Sequence, residues 1–228
     1  TNAKVITFSA HNIQADFSAQ NITSKKEGHF NFSLVTPQGT IQINLPLRGK
    51  HNIANAVASA ACAHTAGAKL HTIKDGLNNL TQVEGRMECT KLSPDLFLID
   101  DSYNASPGSV KAAIDTLIEI NGVSILVLGD MAELGQDEIQ LHADIGKYAF
   151  DAGVDIFLAV GPLSFYAAKA FGVKSQHFNE KKELLNYLDD SKILNEDLPN
   201  IKKVILVKGS RFMGMEDISD LIKNQGVT

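Results

Sequence analysis

The hydrophobic pattern of the chain changes partway along its length, and this change limits the folds that it can adopt. From residue 5 to residue 47, apolar and polar residues alternate, as in 30–34, where Phe, Phe and Leu are separated by Asn and Ser. A period of two places one face of a strand on a core and the other in water. We therefore predict an antiparallel meander of about four strands here, with a turn at 36–39.

Two helices are predicted after the meander. Asn52 is the candidate N-cap of an alanine-rich helix that runs to Ala66, and Gly67 suits the position after its end. Thr72 is the candidate first residue of a second helix, with Asp75 three residues later in a weak form of the capping box. A meander with two helices has no obvious partner for all its apolar faces. We expect it to be the end of a larger domain whose earlier part lies upstream.

The remainder of the chain alternates short apolar runs with helical patterns. Apolar strands without alternation, separated by helices, are typical of a parallel sheet that is covered on both faces. The sequence thus predicts a doubly wound parallel-sheet α/β domain. The predicted strands are 96–99, 125–128, 156–160 and 204–207, with an edge strand near 176–178. The predicted helices are 109–120, 137–152, 164–170, 181–188 and 216–223.

Composition excludes several classes of protein. The net charge of −5 and the pI near 5.8 disfavour a nucleic-acid binder that depends on a broad basic field. No apolar run is long enough for a membrane span, and no basic and apolar leader opens the chain. Cys62 and Cys89 form no C-x-x-C pair, so a disulfide framework is ruled out. We expect a soluble protein from a reducing compartment.

Charged residues follow three of the predicted strands. Asp100 and Asp101 end the first strand, Asp130 follows the second, and the segment from Lys208 to Arg211 follows the last. Ligands of such sheets bind beyond the carboxyl ends of the strands, so these side chains are expected to converge on one cleft. The cleft would suit a nucleotide, or a ligand with both a carboxylate and an ammonium. The alternative is that these strand ends are merely polar and solvated.

Several common signatures are absent from the sequence. It contains no G-x-x-x-x-G-K-[ST] phosphate loop and no G-x-G-x-x-G dinucleotide motif. The seven histidines show no metal-binding spacing. No metal site is therefore predicted within these residues.

Four segments, in this order, resemble motifs of the Mur ligase family. They are LRGKHNIANA at 47–56, DDSYNASPGS at 100–109, LGDMAELG at 128–135 and VKGSRFMGME at 207–216. One departure is Ser106, where the family usually has Asn. Ser can still cap a helix, so the loop should survive.

The resemblance implies a chain that covers part of a three-domain enzyme. Residues 1–85 would be the C-terminal part of the central ATP-binding domain, and 86–228 the C-terminal Rossmann-like ligase domain. The phosphate loop and the ligands of Mg²⁺ would then lie upstream, and this segment alone would be inactive.

The resemblance also implies an activity. The enzyme would be an ATP-dependent ligase of peptidoglycan synthesis, and thus of cell shape and division, in the bacterial cytoplasm. It would form an acyl phosphate on the UDP-N-acetylmuramoyl tripeptide, which the amine of D-alanyl-D-alanine would then attack.

The resemblance assigns five residues to ATP. Asn52 and Asn55 would contact the adenine, because an amide offers both a donor and an acceptor to a purine edge. His51 would lie beside the nucleotide, although a purely structural role is as well supported. Arg86 would approach the phosphates, and Asp101 would accept from the ribose hydroxyls.

The other matched residues would bind the second substrate. Lys208, Ser210 and Arg211 would hold the carboxylate of the dipeptide, and Asn104 and Asp130 would line the cleft. No catalytic residue is assigned.

Two alternatives stay open at this point. One is a related folylpolyglutamate-type ligase, against which the segments around Tyr103 and Lys208 count. The other is a non-catalytic small-molecule-binding module with a doubly wound fold, since fold alone does not separate a binder from an enzyme.

Overall fold

The chain folds into two compact units, Thr1–Gln82 and Val83–Thr228. The computed structural model describes residues 3–25, 29–81, 83–190 and 201–225. The division between the units falls three residues before the predicted domain boundary. The assignment of the units to two domains of a longer enzyme stays a prediction.

The first unit contains a four-stranded sheet in the order β1-β2-β3-β4. The strands are β1 (Phe8–Ser9), β2 (Phe17–Ser24), β3 (Phe30–Thr36) and β4 (Gly39–Leu45). The antiparallel meander is confirmed for β2, β3 and β4, with the turn between β3 and β4 where it was predicted. The short β1 instead pairs in parallel with β2.

The alternating residues between β1 and β2 form a loop rather than a strand. The Ser9 hydroxyl accepts from the backbone of Asn12 at 2.9 Å, and the Asp16 carboxylate accepts from the backbone of Thr7 at 2.8 Å. Local side-chain bonds of this kind offer the backbone an alternative to sheet pairing. They leave Ile13 63% exposed, so the alternation there does not mark a buried face.

Two helices follow the sheet, and both begin earlier than predicted. They are α1 (His51–Thr65) and α2 (Leu70–Asn78). Lys50 is at the N-cap of α1, so the prediction that Asn52 caps this helix is wrong. Lys69 is at the N-cap of α2, and Thr72 lies inside it. The prediction for Gly67 is confirmed: it follows the end of α1 with φ at +95°.

The core of the first unit lies between the sheet and these helices. One face of β3 contributes Phe30, Phe32 and Leu34, all buried. They pack with buried residues of α1 and α2, such as Val57 and Ile73. The small alanines of α1 allow the helix to lie close to the strands.

The second unit contains a six-stranded sheet in the order β5-β6-β10-β7-β8-β9. The strands are β5 (Glu88–Ser93), β6 (Leu96–Asp101), β7 (Val123–Gly129), β8 (Ile156–Val160), β9 (Ser175–Phe178) and β10 (Lys203–Lys208). All pairs are parallel except β5 with β6, so the predicted parallel sheet and its edge strand β9 are confirmed. Strand β5 was not predicted, because its mixed residues are mostly half-buried at a sheet edge.

The helices of the second unit cover both faces of the sheet. They are α3 (Pro107–Ile118), α4 (Glu138–Ala152), α5 (Ser164–Phe171), α6 (Lys181–Asp190) and α7 (Glu216–Gln225). Side chains of α3, α4 and α5 share one core with Ile99 and Leu206. Those of α6 and α7 share another with Leu98 and Ile205. Neighbouring residues on a strand thus face opposite cores, which confirms the doubly wound architecture.

Ser106 caps α3, as expected. The Ser109 hydroxyl accepts from the Ser106 backbone at 2.9 Å, and the Ser106 hydroxyl accepts from the Ser109 backbone at 3.4 Å. This reciprocal pair satisfies two backbone donors at the helix start. The loop before α3 therefore keeps a capped end with Ser in place of Asn.

Helices α4 and α5 approach each other closely at Gly146. A Cβ atom at this position would lie 1.9 Å from the carbonyl oxygen of Ala167, well inside van der Waals contact. Only glycine allows this crossing, because a side chain would push backbone against backbone.

We expect Gly146→Ala to lower the free energy of unfolding by about 1–3 kcal/mol, as overpacking of a close contact does. The matched control is Gly108→Ala, since Gly108 lies in the first turn of α3 with open space around it. The control should be neutral or stabilising by up to about 1 kcal/mol. Thermal unfolding of both variants measures the difference. Equal stabilities of the two variants would contradict the assignment.

Candidate functional site

The sheet order brings together the three strand ends that the sequence singled out. Strand β10 lies between β6 and β7, and Lys208 at its end is in register with Asp101 on one side and Leu128 on the other. Asp130 lies two residues after Leu128, directly after the end of β7. The predicted convergence of these segments at one edge of the sheet is thus present in the structure.

A buried ion pair connects two of these strands. The Lys208 ammonium lies 2.5 Å from Oδ2 of Asp101, with 2% and 12% of the two side chains exposed. It also donates to the backbone oxygen of Asn104 at 2.8 Å. Burial lowers the pKa of Lys208, the Asp101 charge and hydrogen bond oppose this effect, and the nearby charge of Arg86 adds to the lowering.

The other oxygen of Asp101 holds the turn that carries Arg86. Oδ1 accepts from the backbone of Met87 at 3.1 Å, and Met87 adopts a positive φ of +50° that is uncommon outside glycine. Gly85 has φ at +67°, and its carbonyl accepts from the backbone of Tyr103 at 3.0 Å. A Cβ at Gly85 would meet backbone and hydroxyl atoms at 3.1–3.3 Å. Glycine is therefore favoured at position 85 for two reasons, the positive φ and the lack of room for a side chain.

Tyr103 makes cation–π contacts with both arginines of the site. The guanidinium carbon of Arg86 lies 4.3 Å from the centre of the Tyr103 ring, and that of Arg211 lies 5.5 Å from it. Arg211 also pairs with Glu216 at 3.0 Å. The sequence motif contained Tyr103, but nothing in its spacing indicated a contact with residues far away in the chain.

Asp130 faces the start of α5. Its carboxylate accepts from the backbone and hydroxyl of Ser164 at 2.7 and 2.6 Å and from the backbone of Leu163 at 3.2 Å. Its carbonyl oxygen accepts from Ser210, whose side chain is buried. These bonds give Asp130 and Ser210 structural roles at the strand ends. Contact of either residue with a substrate stays a prediction.

The adjacent carboxylates at the end of β6 have separate partners. Asp100 pairs with Lys223 of α7 at 3.0 Å, whereas Asp101 pairs with Lys208. Burial alone would lower the pKa of Lys223, but the hydrogen bond and charge of Asp100 outweigh burial and raise it. Each carboxylate thus has its own cation, which offsets the repulsion between the two adjacent negative charges.

The residues predicted to contact adenine lie together in the first unit. Asn52 donates from its amide to the carbonyl oxygen of Arg48 at 2.7 Å. Its amide oxygen accepts from Asn55 at 3.1 Å. His51 is the first residue of α1, and Asn55 is exposed. The amide of Asn55 is thus exposed, although it already donates one hydrogen bond to Asn52.

Two further residues that fix the loops of the site were missed. His142 is fully buried, accepts from the backbone of Met131 at 2.9 Å, and so donates from Nδ1 to the carbonyl of Glu138 at 2.7 Å. Lys181 donates to the carbonyl of Gly214 at 2.8 Å, after the segment that contains Arg211. Lys181 acts across 33 residues and His142 across 11, which a local pattern does not reveal.

The described carboxylates do not form a metal site. Residues 3–25, 29–81, 83–190 and 201–225 contain no group of three or more His, Cys, Asp or Glu that could hold a metal ion. Within the same ranges, every helix is too short or too polar to cross a membrane.

Comparison with known proteins assigns the chain to a family. The sequence model of the family described as "Mur ligase, glutamate ligase domain" matches residues 85–211, more than half of the chain, and that of the "Mur ligase middle domain" matches 1–63. The chain belongs to the Mur ligase family. The cluster of residues at the edge of the second sheet lies largely within the first of these two matches.

Individual relatives are similar over nearly all of this chain. The UDP-N-acetylmuramoyl-tripeptide–D-alanyl-D-alanine ligase of Escherichia coli K12 is 43% identical over 98% of the chain and 48% of its own length. That of Bacillus subtilis is 34% identical over 92% and 45%. A crystal structure of MurF from Acinetobacter baumannii superposes with a TM-score of 0.82 at 33% identity, over 96% of this chain and 46% of that one.

The chain spans about half the length of the curated relatives that it matches. A more distant structure, the folylpolyglutamate synthase of Mycobacterium tuberculosis with ADP, has 19% identity and a TM-score of 0.66. That likeness concerns the fold alone. The folylpolyglutamate alternative thus gains no support beyond a shared architecture.

We expect Asp101→Asn to destabilise the second unit by about 3–5 kcal/mol, because it leaves the Lys208 ammonium buried without its counter-charge. The control is Asp217→Asn, which removes a partner of Lys181 from a partly exposed pair and should cost less than about 1 kcal/mol. Native-state hydrogen exchange of the β6 and β10 amides measures both losses. Similar losses in the two variants would show that burial does not set the strength of the pair.

The same substitution tests which effects set the pKa of Lys208. Without the Asp101 charge, burial and Arg86 act unopposed, so the pKa of Lys208 should fall further. Titration of the lysine Cε signals by NMR reads this directly. Lys223 is the internal control, since its partner is Asp100, and its pKa should not change. A rise in the pKa of Lys208 would mean that Asp101 is not its dominant partner.

Proposed function

We propose that this chain is part of an ATP-dependent ligase that adds D-alanyl-D-alanine to a UDP-N-acetylmuramoyl tripeptide in peptidoglycan synthesis. The observation that carries the proposal is the cluster of Arg86, Asp101, Tyr103, Lys208 and Arg211 at the carboxyl edge of the sheet. Relatives with 34–43% identity over nearly all of this chain bear the name of that ligase. Both halves of such a reaction need cations, because ATP, the tripeptide and the dipeptide are all anionic.

The proposed chemistry proceeds in two steps. The terminal carboxylate of the tripeptide attacks the γ-phosphorus of ATP, which releases ADP and forms an acyl phosphate. The free amine of D-alanyl-D-alanine then attacks the acyl carbon, phosphate leaves, and the amine loses a proton as the amide forms. The protein would contribute mainly by positioning the reactants and by stabilising charge.

The side chains that we propose as nucleotide contacts can each form further hydrogen bonds. Asn55 offers an exposed amide for a purine edge. Arg86 would meet the phosphates with its planar fork of donors. Asp101 already bonds Lys208 and Met87, but each carboxylate oxygen has two lone pairs. It can therefore still accept from one ribose hydroxyl.

The two cations at the end of β10 differ in burial, and this difference indicates different roles. Lys208 is almost wholly buried, so it would act on a ligand through Asp101 and the backbone of Asn104. Arg211 has 62% of its side chain exposed and is the cation open to the carboxylate of the dipeptide. The initial assignment of both residues to direct contact is thus refined in favour of Arg211.

Magnesium would accompany ATP in this reaction, as phosphoryl transfer generally requires. Asp101 and Asp130 fit poorly as its ligands, because their oxygens already accept from Lys208 and from the start of α5. The metal would be held by other residues and would neutralise charge on the phosphates. A cytoplasmic location follows from the proposal, since ATP and UDP-sugars are found there.

The test is ligation by the full-length protein. With ATP, Mg²⁺ and the UDP-N-acetylmuramoyl tripeptide, we expect phosphate release that depends on D-alanyl-D-alanine and a product whose mass increases by the dipeptide. A folate and L-glutamate in place of the tripeptide and the dipeptide should give no product, which separates this ligase from a folylpolyglutamate type. The 228-residue chain alone should be inactive and serves as the control. Ligation of glutamate, or no ligation at all, would refute the proposal.

A further inference from the structure

Tyr103 brings together two arginines that are far apart in the sequence. Arg86 and Arg211 lie 4.3 and 5.5 Å from the centre of its ring, so the two guanidinium carbons are within about 10 Å of each other. Two like charges at this distance repel. The face of an aromatic ring attracts each of them, because its quadrupole is negative there.

Each arginine is also fixed from a second side. The turn of Arg86 is held by the bond from the Met87 backbone to Asp101 and by the bond from the Tyr103 backbone to Gly85. Arg211 is held by Glu216 at the start of α7. Tyr103 itself is 41% exposed, so packing in a core does not account for its position. The ring instead lies within cation–π distance of both arginines.

Charged groups of both signs lie around the ring. Three cations, Arg86, Lys208 and Arg211, lie with two carboxylates, those of Asp101 and Glu216. Lys208 is buried against Asp101, which leaves the two arginines at the ring as the accessible cations. Such a pair suits a ligand, or two adjacent ligands, with phosphate and carboxylate groups.

We propose that Tyr103 is a positioning residue that aligns Arg86 and Arg211 as one anion-binding pair. The proposal rests on the proposed function for the identity of the anions, which would be the phosphates of ATP at Arg86 and the carboxylate of the dipeptide at Arg211. A single ring would thus couple the placement of both substrates. Its loss should weaken the binding of both rather than of one.

The geometry can be tested in the 228-residue chain without any assumption about the reaction. The chain has three arginines, Arg48, Arg86 and Arg211, so their Nε–H signals can be assigned and followed by NMR. A ring above a guanidinium shifts these protons upfield. Tyr103→Leu should remove the shift from Arg86 and Arg211 but not from Arg48, whereas Tyr103→Phe should retain it.

Inorganic tripolyphosphate then tests the pair as a binding unit. In the wild type, the Arg86 and Arg211 signals should respond to it with one Kd. In Tyr103→Leu, the affinity should fall about fivefold, as the loss of a cation–π contact predicts. Tyr103→Phe should bind like the wild type. Unchanged affinity in Tyr103→Leu, or separate Kd values in the wild type, would overturn the proposal.

Kinetics of the full-length protein test the coupling of the two substrates. Tyr103→Leu should raise the KM for ATP and the KM for D-alanyl-D-alanine about fivefold each, with kcat within about twofold. Glu216→Gln loosens only Arg211 and should raise only the KM for the dipeptide. A Tyr103→Phe variant as impaired as Tyr103→Leu would overturn the proposal. If the wild type ligates nothing, the proposed function fails, and the tripolyphosphate titration alone decides the role of Tyr103.

Discussion

The buried ion pair between Asp101 and Lys208 determines the arrangement of the site. It connects the ends of β6 and β10, and the remaining hydrogen-bonding groups of both side chains hold the Met87 turn and the loop at Asn104. Desolvation of two charges can offset most of the attraction between them, so such a pair contributes little net stability compared with apolar residues of the same size. Its effect is to fix three chain segments relative to one another at the edge of the sheet.

The pair is possible because successive side chains of a strand point to opposite faces of the sheet. Asp100 and Asp101 are neighbours in sequence, yet their side chains leave β6 on opposite faces, as the pleat requires. Asp100 meets Lys223 of α7, and Asp101 meets Lys208 of the adjacent strand. A doubly wound sheet supplies partners on both faces, whereas a sheet with one solvated face would leave one carboxylate in water. Two adjacent acids at a strand end are thus compatible with this fold in particular.

Much of the second unit could be predicted from the sequence because its signals are local. The apolar runs of β6, β7, β8 and β10 are buried on both faces, and the helices between them keep a clear apolar stripe. Edge positions carry weaker signals, which is why β5 was missed. In the first unit, side-chain bonds to Ser9 and Asp16 took the place of strand pairing, although the residues still alternate.

The sequence predicted which charged residues gather at the sheet edge, but not which contacts they make there. Motifs indicated Asp101, Lys208 and Arg211, since charged residues after apolar strands stand out in a sequence. Which cation is buried depends on the register between β6 and β10, and this is a property of the folded sheet. The same holds for Tyr103, whose two arginines come from segments more than a hundred residues apart.

The difference in burial between Lys208 and Arg211 explains how one strand end can serve two purposes. A buried cation with a fixed partner can hold backbone in place but has no open side for a ligand. An exposed guanidinium can bind an anion, but without support its position would vary, because a long side chain has many rotamers. Here Glu216 and the ring of Tyr103 restrict Arg211, while Lys208 and Asp101 fix the segment from which it projects. Rigidity and access are thus assigned to separate residues only three positions apart in the chain.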